Sequence, residues 1–190
     1  YKDLWTADIE YMKQLGVNTI RLYAVDPSKN HDAFMCALQQ AGIYVMVGLL
    51  ASCENCGIGP NEPPSCYPDS LKQRGQYIIN EFSKYSNTLG FDAGNEVTLH
   101  SSDIEKELNA PCQKKFIRDM RTYINTCSNV TGTILPRQVP IGLANWDYAR
   151  ELQSTYFVCE ETDPLEAPDW YGMNVYLHCD PAAVTQDDLA

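Results

Sequence analysis

Stretches with an apolar residue every three or four positions alternate along the chain with short, nearly continuous apolar runs. Ile9, Met12 and Leu15 recur at a spacing of three and Gly16 follows, which predicts a helix over about 4–15 with a glycine stop. Residues 17–25 (VNTIRLYAV) then read as a strand ended by the Asp26-Pro27 turn. The stretch from Asn30 to Asp32 can cap a second helix whose apolar side holds Phe34, Leu38 and Ala41 and which Gly42 terminates. Residues 43–50 are almost wholly apolar, the pattern of a parallel strand buried on both faces. Beyond a Cys/Pro/Gly-rich loop at 53–68, Leu71, Ile78, Phe82 and Tyr85 mark another helix, and residues 88–93 a short strand. A loop with helical material ends in an amphipathic stretch carrying Phe116, Ile117, Met120, Tyr123 and Ile124. Strands at 139–144 and 170–176 flank a helix over about 147–156.

Such alternation implies an α/β fold with a parallel sheet and helical crossovers. An open doubly wound sheet and a closed barrel both fit the period. No GxGxxG or GxxxxGK[ST] follows any strand, so the open sheet lacks its usual nucleotide-site support. Polar and aromatic residues instead gather at strand C-terminal ends, as in Arg21/Tyr23, Asn95/Glu96, Asn145/Trp146 and Asn174/Tyr176. A (β/α)8 TIM barrel brings those ends around one pocket. The expectation is therefore an incomplete (β/α)8 barrel, with residues 1–190 forming part of one glycosidase-type catalytic domain. Roughly its second to sixth strands are present and the closing strands lie outside, since a full barrel takes about 250 residues. Taken alone, such a piece would expose two unpaired sheet edges, so aggregation or unfolding, and inactivity, are expected of it.

Charge and cysteine content narrow the function classes. A net charge of -11 argues against nucleic-acid binding, which needs clustered Lys and Arg. No apolar run approaches the ~18 residues of a membrane span. No signal peptide opens the chain, and both ends read as cuts within the pattern. Eight cysteines point to a secreted protein with disulfides, and Asn129-Val130-Thr131 is a glycosylation sequon compatible with that. Cys53, Cys56 and Cys66 have a rival reading as zinc ligands, but no second CxxC or histidine pair completes a four-ligand set; no metal and no cofactor is expected.

The strongest local signal is Gly90-Phe91-Asp92-Ala93-Gly94-Asn95-Glu96-Val97, a short strand that runs into Asn-Glu. Glycosidic cleavage needs one carboxylic acid to protonate the leaving oxygen and a second carboxylate across the bond. Glu96 suits the acid/base role, and Asn95 could bond the sugar 2-hydroxyl. Equally, the motif alone is compatible with a helix-start glutamate that does no chemistry.

Leu15-Gly16-Val17-Asn18-Thr19-Ile20-Arg21-Leu22-Tyr23-Ala24-Val25-Asp26-Pro27, Asn30-His31-Asp32, Ala41-Gly42-Ile43-Tyr44-Val45, Phe91-Asp92-Ala93-Gly94-Asn95-Glu96-Val97 and Asp169-Trp170-Tyr171-Gly172-Met173-Asn174-Val175-Tyr176 follow in one order. Together they resemble glycoside hydrolase family 72, the fungal cell-wall β-1,3-glucanosyltransferases, over essentially the whole chain. The resemblance implies a retaining (β/α)8 enzyme, secreted and held at the cell surface by a lipid (GPI) anchor. Such an enzyme cleaves β-1,3-glucan and passes the new end to an acceptor chain, with no cofactor and as a monomer. It implies Glu96 as acid/base, with Asn95 beside it, Tyr23 at the sugar cleft and Tyr176 near the nucleophile or acceptor site. Arg21 would orient the nucleophile carboxylate, itself a glutamate beyond Ala190. Barrel-core packing is the alternative for Arg21 and Tyr23, and the roles of Asn174 and Asn145 stay open; His31 fits a cap or packing role better than a catalytic one. Several positions depart from the family pattern. Gly48-Leu49-Leu50 stands where an Asp-Leu-Ser-like stretch is usual, Cys36 is displaced, Trp5 aligns near a usual cysteine, and His178 replaces a Trp before Cys179. Cys159 and Cys179 match the family, with partners expected downstream. A plain β-glucan hydrolase on the same barrel, or a catalytically dead glucan-binding wall protein, are the competing readings.

Overall fold

The computed structural model describes residues 2–51, 56–58, 62–98, 103–127, 137–147, 149–158 and 163–175. Helices and strands alternate strictly: α1 Lys2–Gln14, β1 Thr19–Leu22, α2 Asp32–Gln40, β2 Tyr44–Gly48, α3 Asp69–Phe82, β3 Thr88–Asn95, α4 Asp103–Cys127, β4 Ile141–Trp146, α5 Arg150–Val158 and β5 Tyr171–Asn174. All four strand pairings are parallel, and the strands lie in the order β1-β2-β3-β4-β5. A doubly wound sheet reverses its strand order at a switch point; this one winds in a single direction. It forms an arc of a (β/α)8 barrel, with five of the barrel's strands among the described residues.

The helix stops lie where the glycines predict them. Gly16 and Gly42 adopt φ of +71° and +74°, left-handed conformations open to glycine, just beyond α1 and α2. Asn30 rather than His31 satisfies the start of α2, its Oδ1 accepting the Asp32 N–H at 2.8 Å. His31 packs its ring 4.7 Å from that of Phe82 and meets Glu81 at 3.3 Å, a packing role.

The core lies between sheet and helices. Val45, Val47, Phe91, Ala93, Ile141 and Leu143 alternate along the strands and bury against Met35, Leu38, Leu71, Ile78, Phe82, Phe116, Ile117 and Phe157 from the helices. The other face of β2 departs from expectation: Tyr44 is 48% exposed and Met46 half-buried, so this strand is sealed on its helix face alone. No described element lies across the arc to cover it. Further round the same inner face, the Trp170 ring lies over Gly90 and Gly142, filling the space their side chains would take.

Strand ends differ from the apolar runs for local reasons. β1 leaves the sheet after Leu22, and the Tyr23 carbonyl there crosses Gly48 so closely that a Cβ would stand 2.5 Å from the oxygen. β3 extends to Asn95, which pairs with Ala144 past an irregularity in register. α5 starts late because Ala149 takes a φ of +47°, while Asp147 holds Arg150 from outside the helix.

Cys66 is joined to Cys112 and Cys56 is also disulfide-bonded, so Cys56 and Cys66 are not the free thiolates that the zinc reading needs. Cys36 is a free thiol at the surface. Cys53, Cys159, Cys179 and the Asn129 sequon lie outside the described residues. Among the described residues no helix is long and apolar enough to cross a membrane.

Candidate active site

The inner faces of β1, β3 and β5 meet at their C-terminal ends. Register pairs Gly48 with Asp92 and Asp92 with Gly142, so a carboxylate stands between two residues without side chains. Arg21 reaches across Gly48 into that slot. Its Nε lies 2.6 Å from Asp92 Oδ2, bent too far for a hydrogen bond and therefore a charge–charge contact. Asp92 is 2% exposed, and its other oxygen accepts the Gly94 N–H at 3.2 Å. Burial pushes its pKa up to about 6; the Arg21 charge pulls the other way and does not win.

The rest of the Arg21 guanidinium organises the rim. Nη2 donates to Asn95 Oδ1 at 2.6 Å and Nη1 to Asn174 Oδ1 at 3.5 Å. Asn174 Nδ2 donates in turn to Asn95 Oδ1 at 2.9 Å and to Glu96 Oε1 at 2.7 Å. Glu96 is thus connected to Arg21 through one amide. The Tyr23 ring lies under the guanidinium, 4.6 Å from Cζ, and remains 54% exposed. Arg21, Asn95 and Asn174 are inward positions of β1, β3 and β5, so the sheet's register brings them together, while Glu96 is carried by the turn just past β3.

The loops above are fixed separately. Arg74 on α3 donates from Nη1 to the Leu49 carbonyl at 2.6 Å and from Nη2 to the Val25 carbonyl at 3.0 Å, stapling the ends of β1 and β2 together. Glu96 has a left-handed backbone, φ +52°, and donates its N–H to the Ala144 carbonyl at 2.8 Å. A bulky residue in that region is strained, and such strain gathers at functional sites.

Of the residues singled out in the sequence, Arg21, Tyr23, Asn95, Glu96 and Asn174 come together; Tyr176 lies outside the described residues. Asn145 does not join them: it pairs with Met173 on the helix side of the sheet, fully buried and next to the Tyr171 hydroxyl. Asp92 was missed as a site residue. Its inward position shows only in the register, through its pairing with Gly48 and Gly142. Among the described residues no group of three or more His, Cys, Asp or Glu side chains is arranged around a metal position.

A profile of the glucanosyltransferase family matches residues 2–188. Among curated proteins the chain is similar to the 1,3-β-glucanosyltransferases GAS4 of Saccharomyces cerevisiae, at 34% identity over 93% of this chain, and gel1 of Aspergillus fumigatus, at 36% over 93%. It covers 36% of the length of each, so it spans little more than a third of the relatives it matches. Among solved structures, S. cerevisiae Gas2p in complex with laminaritriose and laminaritetraose superposes with a TM-score of 0.72 at 35% identity, over 89% of this chain and 35% of that one. With the same winding, a profile match over nearly its whole length and relatives above 30% identity, this chain belongs to the glucanosyltransferase family, glycoside hydrolase family 72.

Proposed function

We propose that the protein carrying this chain is a retaining β-1,3-glucanosyltransferase, and that residues 1–190 form part of its catalytic domain. The observation that carries the reading is the bond from Asn174 to Glu96, which ties the carboxyl group into the Arg21–Asn95 network at the mouth of the arc. In this reading Glu96 protonates the leaving glucan oxygen and later takes the proton of the acceptor hydroxyl. A second carboxylate, from beyond Ala190 and about 5–5.5 Å from that of Glu96 as retention requires, attacks the anomeric carbon. Arg21 has five N–H groups; Asn95 and Asn174 each occupy one on the two terminal nitrogens, while Nε stands against Asp92 in an ion pair. One N–H is left on each terminal nitrogen, the number a carboxylate takes in a paired contact with the nucleophile. Asn95 also faces the sugar 2-hydroxyl, Tyr23 stacks on a sugar ring, and Tyr176 holds the acceptor in place of water. Donor and acceptor are β-1,3-glucan chains and the site of action is the fungal cell surface or wall, with a GPI anchor and a monomeric state by family analogy.

The test uses the protein expressed from its complete reading frame and a reduced laminari-oligosaccharide. Wild type should yield products longer than the substrate; products that are only shorter would make it a hydrolase. Glu96→Gln should lower kcat by about 10²–10⁴-fold while oligosaccharide binding persists. Undiminished turnover in that variant removes Glu96 from the chemistry.

A further inference from the structure

Two buried amides of α4 stand one helical turn apart behind the turn that carries Glu96. Gln113 Nε2 donates to the Ala93 carbonyl at 3.3 Å, and Asn109 Nδ2 to the Val97 carbonyl at 3.2 Å. Gln113 is fully buried and Asn109 is 8% exposed. The two carbonyls bracket Gly94-Asn95-Glu96.

Within the bracket the backbone departs from ordinary strand geometry. The β3–β4 register shifts between Asp92 and Asn95, which takes Ala93 and Gly94 out of the regular ladder. Gly94 adopts φ +141° and Glu96 φ +52°. A non-glycine residue held there is strained by about 1–3 kcal/mol and stays only where its surroundings over-determine it. Space enforces it on one side: a Cβ on Gly94 would lie 2.6 Å from Val97 Cγ2 and 2.8 Å from Gln113 Nε2. Hydrogen bonds enforce it on the others, with Ala144 of β4 accepting the Glu96 N–H and α4 gripping both flanks. A buried carbonyl without a donor is destabilising, so apolar side chains at 109 and 113 could not do the same work. α4 is itself anchored at this turn, because Cys112 adjoins Gln113 and is bonded to Cys66.

We propose that Gln113 and Asn109 are positioning residues that hold the strained β3–α4 turn, and through it aim Glu96 and Asn95 into the cleft. Neither amide reaches the cleft; both act through backbone carbonyls. This rests on the reading of Glu96 as acid/base.

The variants are Gln113→Met, which keeps the volume and removes the donor, and Asn109→Leu, made in the protein expressed from its complete reading frame. Each is assayed well below its own melting temperature against laminari-oligosaccharide, beside Glu96→Gln. A misaimed acid/base loses rate rather than substrate affinity. The expected result is a kcat lowered about tenfold or more in each variant, KM within about twofold of wild type, and a displaced limb in the pH profile of kcat. Lower melting temperatures with wild-type kcat and pH profile would make the amides structural and overturn the proposal. If Gln113→Met does not fold, Asn109→Leu decides by the same readings. An active Glu96→Gln would mean that the functional reading has failed; an inactive Glu96→Gln beside fully active α4 variants means that only the clamp has.

Discussion

Asp92 shows how one buried charge couples this site to pH. Gly48 and Gly142 flank it and offer no polar side chain, so its solvation comes from Arg21 and the backbone N–H groups of Gly94 and Ala144. Burial wins, and the pKa stands near 6 in place of the ordinary 3.8. A carboxyl whose folded pKa exceeds its unfolded one holds its proton longer in the native state. Its contribution is fully present below about pH 3.8 and is lost as pH rises through about 6, a difference of about 3 kcal/mol. The unfolding free energy of wild type minus that of Asp92→Asn should therefore fall by up to that amount between pH 4 and pH 7. Urea titrations at both pH values measure it, and a constant difference would show that Arg21 fully compensates the burial. At this scale the sequence was partly legible. Glu96, Asn95 and Asn174 stand where strands run into loops, and Arg21 lies inside a recognisable strand, so their types and positions pointed to a shared mouth. Asp92 needed the register, because only pairing to Gly48 and Gly142 shows that it faces inward beneath Arg21. Asn109 and Gln113 gave no signal, since a polar residue on a long helix reads as a solvated face until a neighbour is known to cover it.

The elements were read well in type and less well in extent, and the glycines of the inner face explain part of the difference. Periodicity reports the side that packs on the helices, where Val45, Val47, Phe91 and Leu143 form a regular layer. It is silent about the other side, where backbones approach and side chains are missing. Trp170 is the clearest case. Its bicyclic ring covers both Gly90 and Gly142, and an ideal Cβ on Gly142 would stand 2.1 Å from Cδ2 and Cε2. A rigid ring cannot yield as a flexible chain end would, so β4 or the segment leading into β5 must shift. Gly142→Ala should lower the unfolding free energy by about 1–3 kcal/mol, read from a denaturant midpoint. Trp170→Leu made in the Gly142→Ala background should be less costly than in wild type, because the smaller side chain vacates the contested space. Additive losses would mean that the ring is not what excludes the methyl group.

For the molecule as a whole, the alternating period fits an open sheet as well as a barrel; the polar and aromatic residues at strand ends and the lack of any phosphate-binding loop pointed to one-directional winding, and the strand order agrees. Cysteine pairing did not follow, since spacing along the chain says nothing about which thiols meet after α3 and α4 have packed. Cys66 and Cys112 are 46 residues apart, and their bond closes a loop containing α3, β3 and the first part of α4. Loop closure of that length restricts the unfolded chain by about 4 kcal/mol, less where another bond already shortens the loop. It also links the layer that positions Glu96 to the loop before α3, so its removal should loosen both together. Cys66→Ser with Cys112→Ser should move the urea midpoint down by an amount equivalent to about 2–4 kcal/mol and steepen the transition, because the released chain exposes more surface on unfolding. Reductant should shift wild type toward the variant, while a chelator should leave it unmoved, since sulfurs bonded to each other offer no thiolate to a metal ion. A midpoint that answers to the chelator and ignores the reductant would restore the zinc reading of Cys53, Cys56 and Cys66, and with it a different origin for the rigidity of α4.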